Sequence, residues 1–207
     1  MDLKIQKGIS LWWGTPIIMF IMPDHQPLNE ELKRLILQRK ADSSGIKKSN
    51  LGGWHSKDDL LTWPSPAVGK LQEGILSAFK RITDRTGAGQ TYEGPLRITC
   101  WANVNGLGHA NDIHNHPQCA WSGVYYVDVG TDIDDTQRSG FLHFMDPRGG
   151  AGMVQDPFHQ FGRGRELKPK NGQLVMFPSW LMHGVHTYRG KGERISIAFN
   201  VVLQDLM

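Results

Sequence analysis

Hydrophobic positions change their spacing at about Leu96. Before it they recur at helical intervals, and after it they fall in short runs broken by turn residues. The stretch from Ile9 to Met22, rich in Trp, Ile, Met and Phe, predicts a strand, in two pieces hinged at Gly14 and Pro16. Asn29 is expected to cap a first helix, with Glu30 and Glu31 at its positive end and Leu32, Leu35 and Ile36 as its apolar face, running to about Lys40. Residues 43–53 read as loop. Ser65-Pro66 opens a second helix, because proline at the first helical position removes only an N–H that would have no partner anyway. Leu71, Ile75, Leu76, Phe79 and Ile82 keep a helical period, and Gly87-Ala88-Gly89 ends it.

From there the pattern is that of strands: 97–103, 122–128, 140–144, 173–177, 182–187 and 194–202. With no helices between them, these argue for an antiparallel sandwich or barrel, with the two helices packed on its outside. The expected layout is one domain over 1–207, with a strand-and-helix extension at 1–92 and a β core at 93–207. The Gly-rich run Gly149–Gly172 is long for a passive connection, and it is expected to close as a lid, with Met153, Phe158 and Phe161 covering the site.

Composition narrows the class. The chain has 207 residues, 39% hydrophobic and 21% charged, which is that of a globular protein. A net charge of +3 is too small to argue for nucleic acid, and Lys47-Lys48 and Arg163-Gly164-Arg165 read as solvated loop charges. Two cysteines, Cys100 and Cys119, make no disulfide framework. The start lacks a signal-peptide core and the run Pro16–Met22 is too short to span a bilayer, so a cytoplasmic location and no membrane association are expected. Oligomeric state is not legible.

The chemistry gathers between His114 and Ser196. His114 and His116 are two residues apart, so on a strand they face one side. His183 returns from a distant strand. Neutral imidazoles suit Fe(II), Zn(II), Cu(II) or Ni(II), and three of them leave coordination positions open. Arg194 carries a permanently charged fork that grips a carboxylate in two places, and Ser196 faces the same side. A carboxylate held there, with the other end of the molecule on the metal, describes 2-oxoglutarate and favours iron.

Several motifs together make the chain similar to the 2-oxoglutarate/Fe(II)-dependent dioxygenases, most closely a group of oxygenases of unassigned substrate. These are Ser49–Ser56 (SNLGGWHS), His114-Asn115-His116-Pro117, Ser122–Tyr126 (SGVYY), Phe177–His183 (FPSWLMH) and Glu193–Asn200 (ERISIAFN). The resemblance implies a double-stranded β-helix, or jelly roll. It implies Fe(II) on His114 and His183, and Arg194 on the distal carboxylate of 2-oxoglutarate, with Tyr126 assisting. It further implies hydroxylation of a C–H in a small-molecule or peptide substrate, with release of succinate and CO2. One departure stands out: the superfamily's His-x-Asp or His-x-Glu is here His114-Asn115-His116. His116 is taken as the third ligand, with Asp112 as the substitute.

Other readings compete. A three-histidine, cupin-like metal enzyme that uses no 2-oxoglutarate fits the histidines better and Arg194 worse. A non-catalytic jelly roll binding a metal or sugar is the bland alternative. Arg194 can instead pair with Asp128 or Asp146. The remaining histidines, His143 and His186 among them, read as ordinary surface or core residues, and Trp101, Trp121 and Trp180 as core. Gly52-Gly53-Trp54 fits a tight turn or the pocket mouth. Asn103 and Asn200, in apolar strands, must bond either backbone or the co-substrate, and Asn103 is counted among the co-substrate contacts.

Overall fold

The computed structural model describes residues 14–87, 90, 92–154, 162 and 164–204. Its elements are β1 (Ile18–Ile21), α1 (His25–Asp42), β2 (Asn50–Leu51), β3 (Trp54–His55), α2 (Pro66–Thr86), β4 (Leu96–Asn105), β5 (Ala110–His114) and β6 (Trp121–Asp128), then β7 (Leu142–Phe144), β8 (Arg165–Leu167), β9 (Gln173–Pro178), β10 (His183–Val185) and β11 (Arg194–Leu203). They form two antiparallel sheets, the larger in the order β1-β9-β6-β11-β4-β3 and the smaller in the order β2-β5-β10-β7-β8. This is the jelly roll.

Alternation along the strands decides what each face buries. On β6, Tyr125 turns to the helices and Tyr126 to the small sheet; both are fully buried. The helix-side core joins Leu32 and Ile36 of α1, Leu71, Ile75 and Phe79 of α2, and Ile195, Ile197 and Phe199 of β11. A smaller core between the sheets holds Tyr126, Leu142, Phe144, Val175, Phe177 and Leu181. The large sheet is therefore covered on both faces, which explains why β9 and β11 read as nearly continuous apolar runs.

α2 follows its sequence signals. Ser65 accepts a hydrogen bond from the Ala67 N–H at 3.2 Å, Pro66 is the first helical residue, and the Gly87 N–H donates to the Thr83 carbonyl. α1 does not. It begins four residues before the expected cap, after Asp24 in a left-handed conformation (φ 49°). Asn29 lies inside the helix, where its Nδ2 donates to the Val127 carbonyl at 2.7 Å and its Oδ1 accepts from the Tyr125 hydroxyl at 2.5 Å. The side chain that looked like a cap pins α1 to β6, because a buried amide needs partners and β6 supplies both.

Other expectations are corrected at the loops. Residues 43–53 include β2, which pairs with β5. Gly52 and Gly53 have φ of 71° and 70°, and Trp54 anchors the turn by donating from Nε1 to the Ser43 carbonyl at 2.8 Å. The run Gly149–Gly172 holds a short 3-10 turn (Ala151–Met153) and strand β8, so it is not structureless. Met153 is 88% exposed, and Phe158 and Phe161 lie outside the described residues, as do residues 9–13 of the expected first strand. Trp180, expected in the core, is 53% exposed. No helix among the described residues is long and apolar enough to cross a membrane.

Candidate active site

The register of the small sheet brings two of the histidines together. His183 on β10 pairs directly with His114 on β5. β5 ends at His114, so the same-face rule for a strand does not by itself place His116. The turn that follows does: the His116 N–H donates to the Ser179 carbonyl at 3.0 Å, which turns its ring back toward the other two. Ring centroids lie 4.5 Å apart for His114–His183, 4.9 Å for His114–His116 and 5.2 Å for His116–His183. One nitrogen from each of the three rings lies within 4.8 Å of the others. Asp112 is exposed and is not in this cluster; it contributes only its backbone carbonyl.

Hydrogen bonds orient the rings. His114 Nδ1 faces the Asp112 carbonyl at 2.7 Å and His183 Nδ1 faces the Leu181 carbonyl at 2.8 Å. A carbonyl only accepts, so both Nδ1 atoms carry the proton and both Nε2 lone pairs are free for a metal. His116 Nδ1 lies 3.4 Å from the Asn200 amide, whose oxygen accepts from the Ser122 hydroxyl at 2.7 Å. A half-turn of that amide presents its oxygen to His116 Nδ1–H and its NH2 to Ser122 Oγ, which leaves Nε2 of His116 free as well. Asn200 thus serves neighbouring side chains rather than backbone or co-substrate.

Burial holds His183 far below the ordinary imidazole range, to about 3, and the nearby imidazoles add to the shift while the Leu181 carbonyl opposes it. Burial likewise lowers His116 to about 4, with the charges of His114 and Lys48 adding to it. Both values lie below the 6.5 of an unfolded histidine. The unfolded chain therefore takes up protons first as pH falls. The stability gained from burying these rings neutral is present above about pH 6.5 and drains away as pH drops toward 4. Denaturant melts of the metal-free protein at stepped pH should show a slope on the order of 1–3 kcal/mol per pH unit across that window. A profile flat from pH 7 to 4.5 would mean that the rings are not buried neutral.

The opposite wall belongs to the large sheet. Ser196 on β11 pairs with Asn103 on β4 and with Tyr126 on β6. Arg194 lies two residues from Ser196, on the same face. Four residues named from the sequence thus meet at one patch. Arg194 is 2% exposed; its Nε donates to the Gly140 carbonyl at 3.1 Å, Nη1 lies 3.3 Å from Ser196 Oγ, and its guanidinium sits 5.2 Å from the centre of the Tyr126 ring. It does not pair with either acid once considered for it. Asp128 bonds Lys33 and Asp146 bonds Arg148. Gly140 has φ 66°, and a Cβ there would stand 3.0 Å from Arg194 Cδ, so only glycine lets its carbonyl come this close.

Three buried polar atoms at this patch have no protein partner: Arg194 Nη2, Tyr126 OH and Asn103 Oδ1. A buried unpaired donor costs about 1–3 kcal/mol, more when charged. Burial lowers the affinity of Arg194 for its proton and pushes the Tyr126 hydroxyl up to about 12, so the phenol stays a donor. Two converging donors beside a permanent positive charge fit a carboxylate, and the Asn103 amide turned over adds a third through Nδ2.

Histidines and anion patch line one partly open pocket. Trp101, buried but not in the sandwich core, forms part of its wall and stacks on His55 at 5.6 Å between ring centres, with Lys48 5.7 Å from its own ring. The donor set fits Fe(II), and a pocket with a metal seat on one sheet and an anion seat on the other fits a short 2-oxo diacid.

A jelly roll with these features is the scaffold of a metal-dependent oxygenase. A family model described as "Putative 2OG-Fe(II) oxygenase" matches residues 99–200. Over those residues the chain matches the 2-oxoglutarate/Fe(II)-dependent oxygenases, a class of enzymes. Among solved structures it resembles a prolyl-4-hydroxylase of Pseudomonas putida, with 16% identity, TM-score 0.64 and coverage of 90% of this chain and 91% of that one. It also resembles a prolyl hydroxylase of Trichoplax adhaerens in complex with a hypoxia inducible factor peptide fragment (14% identity, TM-score 0.65, 91% and 84% covered). HygX of Streptomyces hygroscopicus, with nickel and 2-oxoglutarate bound, is a third (13%, TM-score 0.59, 91% and 82%). At such identities the likeness is one of fold. No curated protein matches the sequence.

Proposed function

We propose that His114, His116 and His183 hold Fe(II), that Arg194, Tyr126, Ser196 and Asn103 hold the distal carboxylate of 2-oxoglutarate, and that the protein hydroxylates a C–H of a small-molecule or peptide substrate. The observation that carries the reading is the trio of buried atoms without partners, Arg194 Nη2, Tyr126 OH and Asn103 Oδ1, at the patch facing the histidines across the pocket. A cupin-like enzyme without 2-oxoglutarate has no use for a buried guanidinium there, and the family match points the same way.

With both bound, the metal and co-substrate supply oxygen activation coupled to decarboxylation of the 2-oxo acid to succinate and CO2. The chain's own residues do the rest. Arg194 fixes one end of the diacid, so the other end is presented to the histidine side. Three neutral imidazoles contribute no negative charge, so the anionic co-substrate is the group that offsets the metal's charge. Phe177, Leu142 and Val124 line the interior and keep water from the reacting groups. Trp101, Ser49 and Asn111 are left for the substrate.

Anaerobic addition of Fe(II) and 2-oxoglutarate should produce the visible absorption of the chelate, and air should then release succinate. No band and no succinate would sink the reading. Tyr126→Phe and Ser196→Ala should each weaken apparent 2-oxoglutarate affinity by about one neutral hydrogen bond, roughly 0.5–1.5 kcal/mol, in titrations followed by the same band.

The helices share one core with the strands, which supports a single domain over 1–207. Cys100 and Cys119 are both free, which suits the reducing cytoplasm.

A further inference from the structure

A second cluster of metal-ligating side chains lies outside the pocket. His143 on β7 pairs with Glu166 on β8 and with Gly184 on β10. Their neighbours Leu142, Phe144 and Val185 face inward, so His143, Glu166 and His186 stand on the outer face of the small sheet. One ligand atom from each lies within 4.8 Å of the others. His143 Nδ1 is 2.8 Å from Glu166 Oε1, and His186 Nε2 is 2.9 Å from Oε2.

We infer that His143, Glu166 and His186 form a second divalent transition-metal site, for an ion such as Zn(II), Co(II) or Ni(II), which clamps β7, β8 and the end of β10 together. The chemistry follows from the donors. Two imidazoles and one carboxylate select borderline metals and disfavour Mg(II) and Ca(II), which prefer all-oxygen sets. In the metal-free arrangement each His–Glu contact is a proton shared between N and O, and a metal takes the place of those protons.

The ligands are also held in place. The Gly164 backbone packs so closely on the His143 ring that a Cβ would stand 2.4 Å from its Cε1, so only glycine there lets the ring lie with Nδ1 toward Glu166. The His186 backbone N–H donates to the Phe141 carbonyl at 3.0 Å, which ties the residue to the chain immediately before the strand bearing His143. The side chains are 23%, 20% and 35% exposed for His143, Glu166 and His186, enough for an ion to enter and for water to complete its sphere. Arg138 Nη1 also reaches Glu166 Oε1, at 3.1 Å; with its side chain 58% exposed, it swings into solvent when an ion takes that oxygen.

The site does not depend on the catalytic reading, and the test keeps the two apart. Zn(II) is titrated by calorimetry into full-length His114→Ala/His183→Ala protein, in which the pocket site is destroyed. One equivalent should still bind with a dissociation constant in the micromolar range, and Zn(II) should raise the melting temperature. Adding Glu166→Gln, which preserves shape, should weaken binding at least about 10-fold, since the carboxylate supplies the only negative charge in the donor set. Adding His143→Asn should do the same, and each variant's melting temperature without metal reports whether it has folded. Co(II) absorption in the visible range gives a second readout. Loss of all binding in the double-alanine protein, or binding that Glu166→Gln and His143→Asn leave unchanged in folded protein, would overturn the inference.

Discussion

His183→Ala should strip the protein of Fe(II) and end turnover. The ring is 7% exposed, its Nδ1 is tied to the Leu181 carbonyl, and its partner across the strand pair is His114. Losing merely the hydrogen-bond partner of a metal-bound histidine costs roughly 10–100-fold in affinity, so losing the ligand itself should cost more than about 100-fold. Equilibrium dialysis with Fe(II), or with Zn(II) as a stable surrogate, measures this directly, provided the second cluster is silenced by Glu166→Gln. The fold should survive. The removed ring faces the pocket, and its burial shifts its protonation against charge, so alanine relieves a desolvated polar group as it opens space. If His183→Ala retained the metal with unchanged affinity in that background, the triad would be wrong.

Arg194→Lys is the second large effect. Lysine keeps the charge but offers a single point in place of a fork, and its ammonium is more strongly hydrated. It also abandons the Gly140 carbonyl, now bonded to Nε. Apparent affinity for 2-oxoglutarate should fall by about 1.5–3 kcal/mol, roughly 10- to 150-fold, the range for hydrogen bonds to a charged group. Metal affinity should hold, because the change lies on the opposite sheet. Titration of the chelate band separates the two quantities. Unchanged 2-oxoglutarate affinity would remove Arg194 from the co-substrate site.

Much of this was readable before the fold was known, because the informative residues obey local rules. Arg194 and Ser196 share a face by strand alternation, and Ser65-Pro66 and Gly87 bound α2 through backbone chemistry that needs no distant partner. What was missed depended on such partners. Asn29 carries every mark of a cap, but β6 offered its amide a better use. His116 was placed by a strand rule that stops applying at His114, and it reaches the cluster through a turn bonded to Ser179. The outer cluster was invisible for a related reason. His143 and His186 are brought to Glu166 by β8, a strand of three residues inside a run that reads as glycine-rich loop. Even so, alternation along Leu142-His143-Phe144 marks His143 as facing away from the core, a signal that needed only a partner to become a site.

The pocket's two seats are written into different sheets. The histidines come from β5, its following turn and β10; the anion residues come from β4, β6 and β11. On the proposed reading, a substitution at Arg194 or Ser196 of β11 touches the seat of the acid, whereas Asn200 on the same strand reaches His116. One strand thus carries both a grip on the acid and a brace for a histidine, so a change of fuel and a change of metal would share β11 as common ground.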